Sequence, residues 1–211
     1  MIEVDRITSE EMDVNTYIVF DDETRNTLII DPSFRAERIV NVIEDEKLNV
    51  KGILLTHGHY DHIAGVDVVR DATDALVYIS EADRDMLTDP FMNASALHGD
   101  EVTVRSADRV LKQEITEIGG IEVKTLFTPG HTEGSVCFFI DDYLFTGDTL
   151  FHLGIGRTDL PGGDYDVMKA SLEKFKLIDK DYIVFPGHGQ NTSLFFEVDN
   201  NPFLGDSKWF L

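Results

Sequence analysis

The chain has 211 residues, 42% hydrophobic and 27% charged, with 40 acidic against 18 basic side chains and a formal charge of −22. That composition is ordinary for a globular chain, expected to form one domain over residues 1–211. It lacks the basic face that a nucleic-acid reader or an anionic membrane surface requires, so neither partner is expected, while oligomeric state stays open.

The acidic residues are spread along the chain, as on a solvated surface. One cysteine, Cys137, excludes an internal disulfide. No basic-then-apolar leader opens the sequence and no apolar run approaches a membrane span, so the expectation is a cytoplasmic protein.

In chain order, residues 15–20 (NTYIVF) and 27–31 (TLIID) predict strands separated by a charged turn, the second stopped at Asp31-Pro32-Ser33. Residues 35–48 place Ile39, Val42, Ile43 and Leu48 at helical spacing. Residues 52–56 (GILLT) form a short buried strand, and 62–72 (HIAGVDVVRDA) the next helix. Residues 75–80 (ALVYIS) and 81–87 (EADRDML) predict another strand and helix. Residues 88–104 have no clear period, and His98 within them is expected to be a surface or loop histidine. Strands follow at 121–128, 135–140 and 143–146, the last two a hairpin; Cys137 sits in the apolar run SVCFFI and is expected to be a buried thiol. A helix over 166–178 and a strand at 182–185 complete the pattern. Periodicity supports an α/β or α+β fold, two packed sheets with helices outside.

Four of these strands run directly into a candidate ligand. LLT leads to His57, LFTPG to His131, LFTG to Asp148 and VFPG to His188. Strand ends at one sheet edge are adjacent in space, and loops there carry function on a rigid frame. The run THGHYDH adds His59, Asp61 and His62, so three of the chain's 7 histidines fall within six positions. His57 and His59, two apart in an extended turn, can aim at one ion; Asp61 and His62, at the start of a helix, can aim at a second. Seven candidate ligands exceed the three or four of one zinc site, and Asp148 is the natural bridge between two divalent ions. Imidazole and carboxylate donors suit zinc first, with iron or manganese as alternatives. His152, close after Asp148, is expected behind the ligands or on the surface.

THGHYDH, PGHTEGS, FTGDTLF and FPGHG resemble, in that order, the metal-binding motifs of the metallo-β-lactamase superfamily. The stretch FTGDTLFHLGIGRTDLPGGD and the closing NNPFL are similar to its small glyoxalase II-type (hydroxyacylglutathione hydrolase-like) branch. The resemblance implies a four-layer αββα sandwich. It places His57, His59 and His131 on one metal and Asp61, His62 and His188 on another, with Asp148 bridging. Two departures stand out: no helical domain of the kind that grips glutathione follows the last ligand, and Ile155 stands where relatives often carry Cys, a change expected to affect packing.

The function this implies is hydrolysis of a thioester such as an S-2-hydroxyacylglutathione, by attack of a metal-bridging hydroxide. Asp61 would orient the nucleophile's proton. Arg157 is the candidate that receives an anionic substrate, or else a salt-bridge partner of Asp159 or Asp164; Tyr165 is a second candidate for substrate contact. Asp31 either orients a ligand histidine or caps the following turn. Persulfide dioxygenases, holding one Fe(II), resemble the same pattern including GRTD and form the alternative reading; β-lactam hydrolysis is a third. Flavodiiron-type redox modules carry Glu at the place of His59, which is His here.

Overall fold

The computed structural model describes residues 1–205. Its strands are β1 (Ile2–Thr8), β2 (Asn15–Asp21), β3 (Asn26–Ile30), β4 (Asn49–Leu54), β5 (Leu76–Ile79), β6 (Arg109–Val110), β7 (Ile115–Ile118), β8 (Ile121–Phe127), β9 (Val136–Ile140), β10 (Tyr143–Gly147), β11 (Leu150–Phe151), β12 (Gly154–Ile155), β13 (Ile183–Pro186) and β14 (Thr192–Ser193). The α-helices are α1 (Glu37–Asp45), α2 (Tyr60–Ile63), α3 (Val66–Thr73), α4 (Tyr165–Leu172) and α5 (Leu194–Asn200). Six strands form one sheet in the order β1-β2-β3-β4-β5-β6, six form another in the order β14-β13-β10-β9-β8-β7, and β11 and β12 form a small hairpin.

The two-residue alternation of strands sorts side chains into three cores. On β2, Ile18 and Phe20 face one core while Tyr17 and Val19 face another. On β9, Val136, Phe138 and Ile140 face the core between the sheets, while Cys137 and Phe139 face the opposite way. The first core is covered by Ile39 and Ile43 of α1 and Val66 and Val69 of α3. The third is covered by Met168 and Leu172 of α4 and Leu194 of α5. The layers are therefore α1/α3, first sheet, second sheet and α4/α5, the αββα sandwich. Each fully buried aliphatic side chain contributes roughly 1.5–3 kcal/mol. Cys137 is buried, and that burial pushes its thiol up to about 11. Ile155 packs against the third core.

Strand direction positions the site. β3 pairs parallel with β4, bringing Ile30 beside Leu54, and β10 pairs parallel with β13, bringing Gly147 beside Pro186. β8 and β10 both run antiparallel to β9, so they also end on one side. At that edge the sheets are tied together: Asn15 Nδ2 and Tyr17 Oη donate to the Pro186 carbonyl at 3.0 and 2.6 Å, and Val136 N donates to the Thr56 carbonyl at 2.8 Å.

Some elements differ from the sequence expectation. The helix expected over 62–72 is split into α2 and α3, because Gly65 N donates to the Pro32 carbonyl at 2.8 Å while the Asp61 carbonyl, its helical partner, accepts from Ser33 Oγ at 2.6 Å. Residues 81–87 form a 3-10 turn at Arg84–Leu87, and the helix after Asp164 stops at Leu172 with a 3-10 turn at Phe175–Leu177 beyond. No helix among the described residues is long and apolar enough to cross a membrane.

Candidate metal centre

The loops that leave β3, β4, β8, β10 and β13 bring the expected residues together. His57 follows β4, His59 is the N-cap of α2, and Asp61 and His62 lie inside that single turn. His57, His59 and His131 form one compact group, and Asp61, His62 and His188 a second. Asp148 stands between them. Its Oδ1 lies 3.4 Å from His62 Nε2, and its Oδ2 lies 3.4 Å from both His131 Nε2 and His188 Nε2. Asp61 Oδ2 is 3.5 Å from His188 Nε2 and 3.9 Å from His62 Nε2.

Outer hydrogen bonds fix which nitrogen of each ring faces inward. His131 Nδ1 donates to the Arg157 carbonyl at 2.6 Å and His188 Nδ1 to the Met12 carbonyl at 3.1 Å. A carbonyl only accepts, so Nδ1 of each ring carries its proton and Nε2 is the nitrogen turned to the centre. Asp31 does the same for two further rings. It accepts from His62 Nδ1 at 2.9 Å, from Thr56 N at 2.8 Å and from Thr56 Oγ1 at 2.6 Å. With its proton committed to Asp31, the Thr56 hydroxyl accepts from His57 Nδ1 at 3.0 Å. Asp31 is thus an orienting group behind the ligands.

Electrostatics follow from burial and proximity. Burial opposes charge on His62 and His188, yet the carboxylates of Asp148 and Asp61 overcome it, holding His62 well above the usual imidazole range and His188 at about 9. Burial would raise Asp148, but His62 and His188 hold it well below the carboxylate range, and Asp61 is lowered in the same way. Burial and neighbouring imidazoles push His57 well down and His59 to about 3.

This donor set fits metal ions. His57 Nε2, His59 Nε2 and Asp148 Oδ1 are buried without a hydrogen-bond partner, and such groups cost about 1–3 kcal/mol each unless something satisfies them. His59 Nδ1 and His131 Nε2 face each other at 2.8 Å within the first group. Five imidazoles and two carboxylates without a thiolate suit zinc, iron or manganese.

A cavity of about 340 Å³ opens onto the group, walled by Met12, Tyr60, Ala94, Phe151 and Leu160 and by the polar side chains of Arg157 and His98. Arg157 therefore reaches the cavity, and it also binds Asp159 through two contacts of 2.7 and 2.8 Å. Tyr165 does not line this cavity: as the first residue of α4 its ring is half exposed, with the Lys169 ammonium 5.1 Å from its centre. His98 is exposed in a 3-10 turn, as expected of a loop histidine, but its ring lies 5.5 Å from Tyr60 and forms part of the cavity wall. His152 contacts no ligand; it pairs with buried Glu197 at 3.2 Å and stacks on Phe196. Sequence reasoning missed Asp83, whose carboxylate holds the loops on either side of the first group, and the carbonyls of Met12 and Arg157. Only their partners across the fold mark them.

A family model described as the metallo-beta-lactamase superfamily matches residues 10–188. The chain belongs to the metallo-beta-lactamase superfamily. The probable metallo-hydrolase YqgX of Bacillus subtilis is 39% identical over 195 residues, spanning 90% of this chain and 92% of that protein. Hydroxyacylglutathione hydrolase GloC of Haemophilus influenzae is 35% identical over 200 residues, spanning 92% and 94%. The crystal structure of the BLEG-1 B3 metallo-beta-lactamase superposes with a TM-score of 0.91 at 38% identity, covering 98% of this chain and 100% of that one. As a member of the metallo-beta-lactamase superfamily the chain is an enzyme of the metallo-hydrolase kind, from a family that acts on small molecules.

Proposed function

We propose that the protein hydrolyses thioesters at a two-metal centre. The observation that carries this reading is Asp148, a buried carboxylate within 3.4 Å of imidazoles from both groups. His57, His59 and His131 would hold one divalent ion, Asp61, His62 and His188 the other, and Asp148 both. Such a pair supplies hydroxide at neutral pH and polarises a substrate carbonyl. The chain's own groups do the rest. Asp61 turns a carboxylate toward the cavity, where it accepts and orients the nucleophile's proton. Met12, Tyr60, Phe151 and Leu160 take the apolar part of the acyl group and exclude water from it. Arg157 receives an anionic portion of the substrate, with its charge moderated by Asp159. A thiolate leaving group, of pKa about 8.5, departs without a general acid. The likeness to GloC supports a hydroxyacylglutathione-type substrate.

The likeness to BLEG-1 favours β-lactam hydrolysis as a second reading, through the same carbonyl chemistry. The test is metal analysis of the protein from unsupplemented growth, with turnover of a panel of acyl-glutathione and other thioesters, a chromogenic cephalosporin, and O₂ uptake on glutathione persulfide. The proposal expects two ions per chain, thioester turnover, and joint loss of both in Asp148→Ala. One iron with rapid O₂ consumption, preferential cephalosporin turnover, or an Asp148→Ala protein that keeps its metal and thioesterase activity, overturns it.

A further inference from the structure

Asp83 is a carboxylate with no place in the ligand set. It lies on the turn after β5, 1% exposed, where taking a carboxylate out of water costs several kcal/mol before its partners compensate. Three donors surround it. Gly58 N reaches Oδ2 at 3.0 Å, Thr132 Oγ1 reaches Oδ2 at 2.7 Å, and Gly134 N reaches Oδ1 at 2.8 Å. Gly58 lies between His57 and His59, and Thr132 directly follows His131. One carboxylate therefore joins the two loops, one from each sheet, that deliver every imidazole of the first group.

The two glycines make this approach feasible. A side chain at Gly58 would place its Cβ 2.6 Å from Met86 Cβ, and one at Gly134 would overlap Ser80 Oγ and come within 2.6 Å of the Asp83 carboxyl carbon. Asp83 bonds the start of the His57–His62 segment at Gly58 but nothing in the helical turn α2 that carries Asp61 and His62, nor the loops that carry Asp148 and His188, where Asp31 and the Met12 carbonyl orient the imidazoles instead.

We propose that Asp83 is the positioning residue of the first metal group, setting the distance between the His57–His59 turn and His131 and so the affinity of that group alone. The inference rests on the metal reading above and deepens it by dividing the supporting groups between the two ions.

The experiment uses full-length protein stripped of metal and titrated with Zn²⁺ against a chromophoric chelator. The Asp83→Asn change is placed in two backgrounds, His188→Ala, which leaves the first group to bind, and His131→Ala, which leaves the second. In the first background Asp83→Asn weakens binding by about 10–100-fold, the usual effect of removing a group behind a ligand. In the second background affinity does not change. Circular dichroism and melting of the metal-free variants check the fold. If Asp83→Asn does not fold, Thr132→Val, which deletes one of the three bonds, shows the same selectivity at smaller size. Equal weakening in both backgrounds, or none in the first, overturns the inference and makes Asp83 a support of the fold only. If the parent protein takes up no ion, the metal reading itself fails and the inference falls with it, a result distinct from a parent and variant that bind equally.

Discussion

Replacing Asp31 with Asn changes two ring tautomers without changing a shape. The Thr56 N–H can only donate, so the Asn oxygen stays opposite it and the new amide nitrogen takes the place of Oδ2. That nitrogen donates where Oδ2 accepted. Facing it, His62 must present a lone pair at Nδ1, which moves its proton to Nε2, the atom turned toward Asp148. The Thr56 hydroxyl, now an acceptor from Asn, points its own proton at His57 Nδ1 and moves that ring's proton to Nε2 as well. One ligand in each metal group thereby loses its lone pair. With each support worth about 10–100-fold in metal affinity, both ions weaken by that factor, about 1.4–2.8 kcal/mol each. Position 31 has a φ of +50°, which Asn tolerates, so the backbone adds no penalty. Asp31→Ala is less informative: it leaves three buried donors unpaired at about 1–3 kcal/mol each, a large part of a typical stability of about 5–15 kcal/mol. Chelator competition on metal-free Asp31→Asn, alongside its melting temperature, is the assay. A variant that melts like the parent and binds two ions with parental affinity refutes the tautomer argument.

Two other outcomes follow from the same centre. Metal-free protein should be most stable near pH 6.5. His188, raised to about 9, and His62, raised well above the usual imidazole range by the same carboxylates, bind more protons folded than unfolded above that pH, so their stabilisation is lost as pH rises through the folded values. His57 and His59, held low, let the unfolded chain take protons first below pH 6.5, and the lowered Asp61 and Asp148 add a loss below about 3.8. Metal-loaded protein carries no proton on any ligating imidazole, so it should gain stability from pH 6.5 to about 7.5, as the unfolded histidines lose theirs, and lack the metal-free protein's loss on His62 and His188 toward pH 9; a metal-free sample that gains stability across that range contradicts the assignment. Gly187→Ala should lower metal content without removing a ligand, because the added Cβ overlaps Asp148 Oδ1 and lies 2.8 Å from His62 Cε1, while Gly187 has no left-handed φ for alanine to resist. Full metal occupancy in that variant, measured by elemental analysis, would show that the carboxylate has room to move.

The candidate ligands were legible because each is punctuated locally. A strand of β-branched and aromatic residues runs into Thr, Pro or Gly and then His or Asp, and that grammar survives without knowledge of the rest of the fold. Elements of two to four residues, such as β6, β7, β12 and β14, are too short for a period to register. β1 does alternate, but its exposed edge carries Glu3, Asp5 and Arg6, and it reads as a polar leader until its pairing with β2 is known. The break at Gly65 depends on bonds to Pro32 and Ser33, about thirty residues away in the chain, and no local pattern announces it. Asp83, the Met12 carbonyl and the cavity wall at His98 are hidden for the same reason. Their roles are defined by partners 25 to 176 positions distant.

The acidity of the chain bears on substrate charge. At a net charge of −22, an anionic thioester would approach against a repulsive field, and Arg157, the one Lys or Arg among the described residues that line the cavity, already has Asp159 as a partner. Under the two-metal reading, the counterweight would be the centre itself. Its imidazoles would be neutral as ligands, so two carboxylates would face the four positive charges of a pair of divalent ions, and a bound hydroxide would still leave the balance positive. The carboxylate field that pulls His62 and His188 upward is the field that would hold those ions. Surface carboxylates act through water and salt, whose screening length is about 8 Å at physiological ionic strength, while charges at the cavity floor act on a bound substrate at contact distance in a buried site. On that reading an acidic surface and an anionic substrate are compatible: the surface would slow approach, and the metal charge would govern what is held once it arrives.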